Sequence, residues 1–309
     1  MSRLSNAAWK KRLVRLAVVL LLLASVLLII AFTRFNFSQE AYPRLSWLQQ
    51  ALGVNQPAYL QANVRPQIIG HRGSGLKPTD GGGFIGNTME AIRIGIDANA
   101  DWIEIDVRQS RDGVLMVFHD ENVGRNTNGE GKFDQFRRDE LQALKVMVDP
   151  VERIATLEDV FLQFSSRGVQ FILDIKIRNI RDDLLPLVKK YFSEDQIILF
   201  GVYEVLQEYV GSGYALGYTA LWSEGWSKYR FTFGHSFIIQ RCDRLECDYL
   251  ILPAIFLNQS LIDDAKSRGL AVWTYGSDDE RDWSHSTRRG ITGLIVDQTK
   301  NAWQTFRSP

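Results

Sequence analysis

From Gln67 onward this 309-residue chain repeats one pattern: a short β-branched and aliphatic run, a polar or glycine-bearing break, then a longer helix-compatible stretch. Eight of the runs read as strands, over residues 68–71, 102–107, 171–175, 197–201, 215–219, 248–252, 271–275 and 293–297. Helices are predicted between them over 88–99, 157–166, 181–192, 259–268 and 279–289. Thr156 is placed to cap the second of these, with Asp159 three residues on completing a capping box. A further apolar run, 114–118, is expected to pair locally as a hairpin extension. Strands that alternate with helices imply a parallel sheet, because parallel neighbours need a crossover connection. Eight such units match the length of a (β/α)8 TIM-type barrel, about 250 residues, with an open doubly wound sheet as the alternative. No G-x-G-x-x-G or P-loop follows a strand, so nothing in the pattern supports a nucleotide site.

The segment before the barrel has a different character. Leu16–Phe32 is free of charge, and six of the 36 basic groups (Arg3, Lys10, Lys11, Arg12, Arg15 and Arg34) fall in the first 40 residues against one acid, Glu40. The remainder holds 30 basic and 35 acidic side chains, a mildly acidic body with no broad field for nucleic acid. Seventeen apolar residues span about 25 Å as a helix, and starting the span at Leu13 with Arg15 snorkelling brings it to bilayer thickness. The basic flank precedes the span, which orients the N-terminus to the cytoplasm. The expected organisation is a cytoplasmic basic terminus over 1–12 and a transmembrane signal anchor over 13–32. A juxtamembrane tether over 33–66 and a barrel over 67–309 follow. That makes a single-pass membrane protein whose body lies outside the cytoplasm, periplasmic or at the cell surface in a bacterium.

Polar residues cluster where the strands end. His71 and Arg72 follow Ile68–Gly70, Glu104 and Asp106 alternate with Ile103, Ile105 and Val107, and Asp174 and Lys176 alternate with Leu173, Ile175 and Ile177. Asp297 closes Leu294–Val296. The C-terminal strand ends of a parallel barrel are where its active site lies. Residues at i and i+2 share a face, so Glu104 and Asp106 project together, an arrangement that a dry interior tolerates only with compensating charge. Hard carboxylate oxygens from Glu104, Asp106 and Asp174 suit a divalent cation, Mg²⁺ or Ca²⁺. The competing reading is a salt-bridge network with Arg72, Arg108 and Lys176. His71 and His119 each stand beside a candidate strand end, and imidazole is the side chain suited to proton transfer near neutrality. Arg72 and Lys176 add fixed positive charge suited to a phosphate. One cation, two positive side chains and two imidazoles read as phosphodiester cleavage.

At this point the residues resemble the glycerophosphodiester phosphodiesterase family. The stretch runs Gly70-His71-Arg72-Gly73, Gly86-Asn87-Thr88-Met89-Glu90-Ala91 and Trp102-Ile103-Glu104-Ile105-Asp106-Val107. It continues through Ser110-Arg111-Asp112-Gly113, Phe118-His119-Asp120 and Arg125-Asn126-Thr127-Asn128-Gly129. Fainter echoes are Ile154–Asp159, Leu173–Lys176, Val272–Tyr275 and Gly293–Asp297. The resemblance implies a barrel that hydrolyses glycerophosphodiesters to glycerol 3-phosphate and an alcohol with a divalent cation. His71 and His119 would form the acid/base pair, and Arg72 and Lys176 would face phosphate. Glu104, Asp106 and Asp174 would hold the metal. Two departures stand out: Asp174 occupies a position that is usually glutamate, and Gly86 stands where the family usually has glutamate in Pro-Glu-Asn-Thr. A lysophospholipase D-like enzyme, or a barrel that only binds phosphorylated ligands, are the alternatives. A lysophospholipid would meet the pocket at the membrane surface.

Other features carry weaker expectations. Trp273 is a candidate substrate-pocket residue or a wall-packing side chain. The aromatic segment 222–233 reads as core under a loop or a lipid-facing patch. Cys242 and Cys247 are read as two free thiols or one disulfide. His235 and His285 have no supporting context, and Arg178 and Arg181 read as a solvated helix entrance.

Overall fold

In the computed structural model the described residues are 65–75, 86–146, 151–220, 235–254, 257 and 259–307. The predicted anchor over 13–32, the tether over 33–66 as far as residue 64, and the aromatic segment 222–233 lie outside them. Among the described residues no helix is long and apolar enough to cross a membrane. All described residues fall in one unit, Tyr59–Pro309.

Each of the eight predicted runs forms a strand. They are β1 (Gln67–Gly70), β2 (Trp102–Gln109), β6 (Phe171–Ile175), β7 (Ile197–Gly201), β8 (Ala215–Thr219), β9 (Tyr249–Pro253), β10 (Ala271–Tyr275) and β11 (Gly293–Val296). All pair in parallel in the order β1-β11-β10-β9-β8-β7-β6-β2, and a β1–β2 pairing (Ile69 with Trp102, Gly70 with Ile103) closes the ring. The result is an eight-stranded barrel with helices between strands, and the open-sheet alternative falls away. The antiparallel β3 (Leu115–Val117) pairs Val107 with Val117, so the predicted hairpin extension is present. A two-stranded ribbon, β4 (Lys145–Val146) and β5 (Glu152–Arg153), lies further along.

The helices are α1 (Met89–Asp97), α2 (Arg138–Ala143), α3 (Leu157–Phe164), α4 (Arg181–Tyr191) and α5 (Tyr203–Leu206). They continue with α6 (His235–Leu245), α7 (Gln259–Ser267), α8 (Glu280–Arg288) and α9 (Thr299–Arg307). At the start of α3 the Thr156 side chain accepts from the Asp159 amide at 3.0 Å and the Asp159 carboxylate faces the Thr156 amide, the predicted box. Short helices α2 and α5, and the longer α6 and α9, were not predicted.

Alternation along the strands sorts side chains into two apolar sets. Ile103, Ile105, Val107, Leu173 and Ile175 pack outward under the helices with Leu157, Val160 and Phe161. Trp102, Ile172, Ile198, Phe200, Ile251, Trp273 and Ile295 fill the barrel. Each such fully buried aliphatic side chain contributes about 1.5–3 kcal/mol. A third cluster after β3 joins Met116, Phe118, Val123, Phe133, Leu141, Val146 and Ile154, with the Phe118 and Phe133 rings stacked at 5.0 Å. That cluster anchors the segment bearing His119.

Candidate active site

Every predicted site residue except Trp273 sits toward the C-terminal end of the barrel, on β2 and β6 or just beyond β1, β3 and β6. The turn after β1 places the first two. His71 follows Gly70, and Arg72 takes a left-handed backbone (φ 52°) while Gly73 lies at φ 97°. Glycine is required at both flanks: a Cβ on Gly70 would meet the Gly73 carbonyl oxygen at 1.8 Å, and one on Gly73 would meet the Ala91 carbonyl carbon at 2.5 Å. This close approach of α1 to the turn holds the Arg72 amide against Glu104, whose Oε2 accepts from it at 2.7 Å.

On β2, Glu104 and Asp106 both face inward, as period-two alternation requires, and parallel pairing sets Asp106 beside Asp174 on β6. All three carboxylates are buried, and one oxygen from each lies within 4.8 Å of the others. Lys176 closes the group with its Nζ 2.8 Å from Asp106 Oδ1 and bonded to Asp174 Oδ2. Arg72 Nε stands 3.2 Å from Asp106 Oδ2. The charges are unequally served. Burial pushes the Glu104 carboxyl well above its ordinary value, and the Asp106 and Asp174 charges push the same way. Burial also opposes ionisation of Asp106, but Lys176, Arg72 and His119 together hold that carboxyl low. Asp174 is raised, mainly by burial, against the pull of Lys176. Burial disfavours the Lys176 ammonium, and the surrounding carboxylates more than restore it. Thus two of the three predicted salt-bridge partners, Arg72 and Lys176, form one cluster with the predicted ligands, two cations against three acids.

Both histidines are oriented by a carboxylate. His71 Nδ1 lies 2.6 Å from Asp297 Oδ1 at the end of β11, and His119 Nδ1 lies 2.7 Å from Asp120 Oδ1. Asp120 is itself fixed by Asn126, whose Nδ2 donates to Oδ2 at 2.9 Å. With Nδ1 engaged by the carboxylate, the His119 ring can exchange a proton through Nε2. Arg108 does not join the cluster through its Nε, which donates to the His119 carbonyl at 2.9 Å.

Three contributors escaped the sequence-based assignment. Asn87, in a left-handed conformation at φ 66°, donates from Nδ2 to Asp106 Oδ2 at 2.6 Å and accepts the Asp106 amide on Oδ1 at 3.0 Å. Its place in Gly86-Asn87-Thr88 was the signal. Beside it, Gly86 helps line a small crevice with Arg72, Asn87 and His119. Asp297 and Asp120 were visible as motif members without a role. Of the two readings of Trp273, the described geometry fits wall packing: it is 1% exposed, lies tilted against Tyr249 with centroids 4.3 Å apart and rests on Gly293 at the start of β11. It belongs to the interior packing, because its register with Gly293 sets it a layer below the strand ends. Cys242 and Cys247 are free thiols.

Residues 71–201 match the Glycerophosphoryl diester phosphodiesterase family. The chain is 27% identical over 260 residues to a glycerophosphodiester phosphodiesterase of Caldanaerobacter subterraneus subsp. tengcongensis, a match that covers 76% of this chain and 95% of that one. The crystal structure of a glycerophosphodiester phosphodiesterase from Thermotoga maritima superposes with a TM-score of 0.63 at 25% identity, covering 78% of this chain and 98% of that one. An Oleispira antarctica phosphodiesterase, solved in complex with the product sn-glycerol-3-phosphate, shares the fold with a TM-score of 0.62 at 22% identity, covering 79% and 97%.

Proposed function

We propose that this chain, a phosphodiesterase related through its barrel to the glycerophosphodiester phosphodiesterase family, hydrolyses glycerophosphodiesters to glycerol 3-phosphate and an alcohol. The observation that carries this reading is the pair of carboxylate-oriented imidazoles, His71 and His119, flanking one buried cluster of three acids and two cations. The donor set fits a divalent cation. Three buried carboxylates converge within 4.8 Å, and Glu104 is held against its ordinary ionisation by burial and by the other two. Glu104, Asp106 and Asp174 would hold Mg²⁺ or Ca²⁺, which supplies Lewis-acid polarisation of the phosphoryl group when bound.

The side chains divide the remaining work. Arg72 and Lys176 hold phosphoryl oxygens and offset the charge that develops on them. One histidine Nε2 takes the proton of the glycerol 2-hydroxyl, whose oxygen attacks phosphorus within the same molecule. The other gives its proton to the departing alcohol oxygen. An attached nucleophile needs no bimolecular encounter, which accounts for several kcal/mol of barrier. Water then opens the cyclic phosphate with the proton transfers reversed, giving glycerol 3-phosphate. Asp297 and Asp120 keep each Nδ1–H in place, so that Nε2 is basic when the reaction needs a base.

The test is glycerol 3-phosphate release from glycerophosphocholine by protein stripped with a chelator, with and without restored Mg²⁺ or Ca²⁺, beside His71→Ala. Activity that returns with a cation and is absent in His71→Ala supports the reading. A folded protein inactive with every cation overturns it.

The anchor over residues 13–32 and a body outside the cytoplasm complete the proposal, supported by the charge-free run and its basic flank. Resistance of the protein to extraction from membranes by alkaline carbonate, together with labelling of the body from outside the cell, tests it.

A further inference from the structure

β8 and β10 bring two unassigned hydroxyls to the interior of the barrel, across from the acid cluster. Tyr275 ends β10 and Thr219 ends β8. Both oxygens are shielded from solvent, and neither makes a hydrogen bond of good geometry. They lie near one another, and the phenol is within electrostatic reach of Asp174 and Lys176. Burial, aided by the Asp174 charge, pushes the phenol above its ordinary value, so it is a donor at neutral pH.

Packing alone does not call for these oxygens. The inward-facing positions around them are Ile198, Phe200, Ile251 and Ile295, and phenylalanine and valine would fill the same volumes. The neighbouring hydroxyl of Thr274 shows how a strand hydroxyl is ordinarily satisfied here: its Oγ1 donates to the Leu252 carbonyl at 2.8 Å. A buried hydroxyl without a partner is a net loss to the fold; Tyr209, Ser212 and Thr299 carry others, but only Tyr275 and Thr219 among these bring two such hydroxyls near one another at the substrate end. The indole nitrogens of Trp102 and Trp273, also without partners, lie among the barrel's apolar packing and are single donors that one water each can serve. Tyr275 and Thr219 differ in that each can donate and accept, and the phenol, packed against the upper edge of that cluster, is within electrostatic reach of Lys176.

We propose that the Tyr275 and Thr219 hydroxyls form a subsite for the free terminal hydroxyl of the substrate's glycerol, making Tyr275 a specificity-determining residue. The inference rests on the diesterase reading above. Arg72 and Lys176 already provide the cationic contacts that a phosphoryl group needs, and a neutral pair able to give and receive one hydrogen bond each matches an alcohol. An ester at that position removes the donor and adds an acyl chain, so the subsite selects fully deacylated diesters over 1-acyl lysophospholipids. A site built around a substrate hydroxyl rejects the analogue that lacks it, because its own polar groups are then left unpaired.

The test uses the full chain and two substrates, glycerophosphocholine and its terminal deoxy analogue, the phosphocholine diester of propane-1,2-diol, which keeps the 2-hydroxyl. The wild type should prefer glycerophosphocholine by about ten- to a hundredfold in kcat/KM. Tyr275→Phe and Thr219→Val should each shrink that preference to about threefold or less, through loss on the hydroxylated substrate. An unchanged preference in both folded variants overturns the subsite and leaves the two hydroxyls to a structural water. If the wild type hydrolyses neither substrate, the diesterase reading fails separately. Calorimetric titration with sn-glycerol 3-phosphate and propanediol phosphate then decides the subsite by the same ratio of affinities.

Discussion

Asp120→Asn isolates what orients His119, and the structure sets the expected size. In the native site Asp120 Oδ1 faces His119 Nδ1 at 2.7 Å while Oδ2 accepts from Asn126 Nδ2 at 2.9 Å. An amide in the same place has one acceptor and one donor. Asn126 already points a donor at the Oδ2 position, so the amide oxygen goes there and the NH₂ group turns to His119. An NH₂ group facing Nδ1 stabilises the tautomer that carries its proton on Nε2, the wrong form for a base. Loss of the correct tautomer in histidine-dependent catalysis costs about a hundred- to ten-thousandfold in rate. The fold itself should lose only about 1.5–3 kcal/mol, the scale of one hydrogen bond to a charged group.

The pH dependence of that stability loss has a definite sign. The hydrogen bond from His119 holds the Asp120 carboxyl below its ordinary value, against the effect of burial. A depressed carboxylate contributes stability that is present above its unfolded pKa, about 3.9, and is lost as pH falls through the folded value. Wild type and Asp120→Asn should therefore differ in urea midpoint at pH 7 and converge below about pH 4. Glycerophosphocholine turnover across pH 5–9, with urea melts on the same samples, gives both readouts. An Asp120→Asn protein within about threefold of wild-type kcat at every pH would refute the tautomer argument and, with it, the role given to His119.

Three further perturbations follow from the same geometry. Gly73→Ala forces a Cβ to within 2.5 Å of the Ala91 backbone at a φ of 97°, so the urea midpoint should fall by the equivalent of about 2–4 kcal/mol, and an unchanged midpoint would contradict the close approach of α1. Glu104→Gln relieves a buried like-charge cluster, so at pH 7 the chelated variant should melt higher than chelated wild type while losing the rise in Tm that Mg²⁺ gives the wild type. Glu152 is raised by burial although it accepts the Glu90 amide, and a raised carboxyl contributes stability that is lost as pH rises through its folded value. Glu152→Gln should accordingly gain on the wild type between pH 4 and 7 in thermal melts, and a constant difference would show that its charge is not felt.

The strands were legible because a parallel barrel buries both faces of each one. Continuous apolar runs such as Phe171–Ile175 and Ile197–Gly201 then stand out from their surroundings, and their bounds were read without error. Helix α9 was not legible for the opposite reason. In α9 only Thr299 and Ala302 are buried, so Thr299–Arg307 carries little apolar signal. Within the site, legibility followed sequence distance. Glu104 and Asp106 announce themselves two residues apart on one strand, and Asp174 with Lys176 repeats the pattern on the next. Asp120 orients its neighbour His119, but two other groups that orient this machinery are paired across the chain: Asp297 reaches His71 from 226 residues away, and Asn87 reaches Asp106 from 19. No local pattern encodes such a pairing, because it exists only once β1 has closed against β11 and the turn at Arg72 has packed under α1. Tyr275 was obscured differently, since an aromatic two residues beyond Trp273 on an apolar strand reads as core until its hydroxyl is found without a partner. The residues that supply charge were thus legible from the strand pattern, and the residues that aim the charge or select the substrate required the closed barrel.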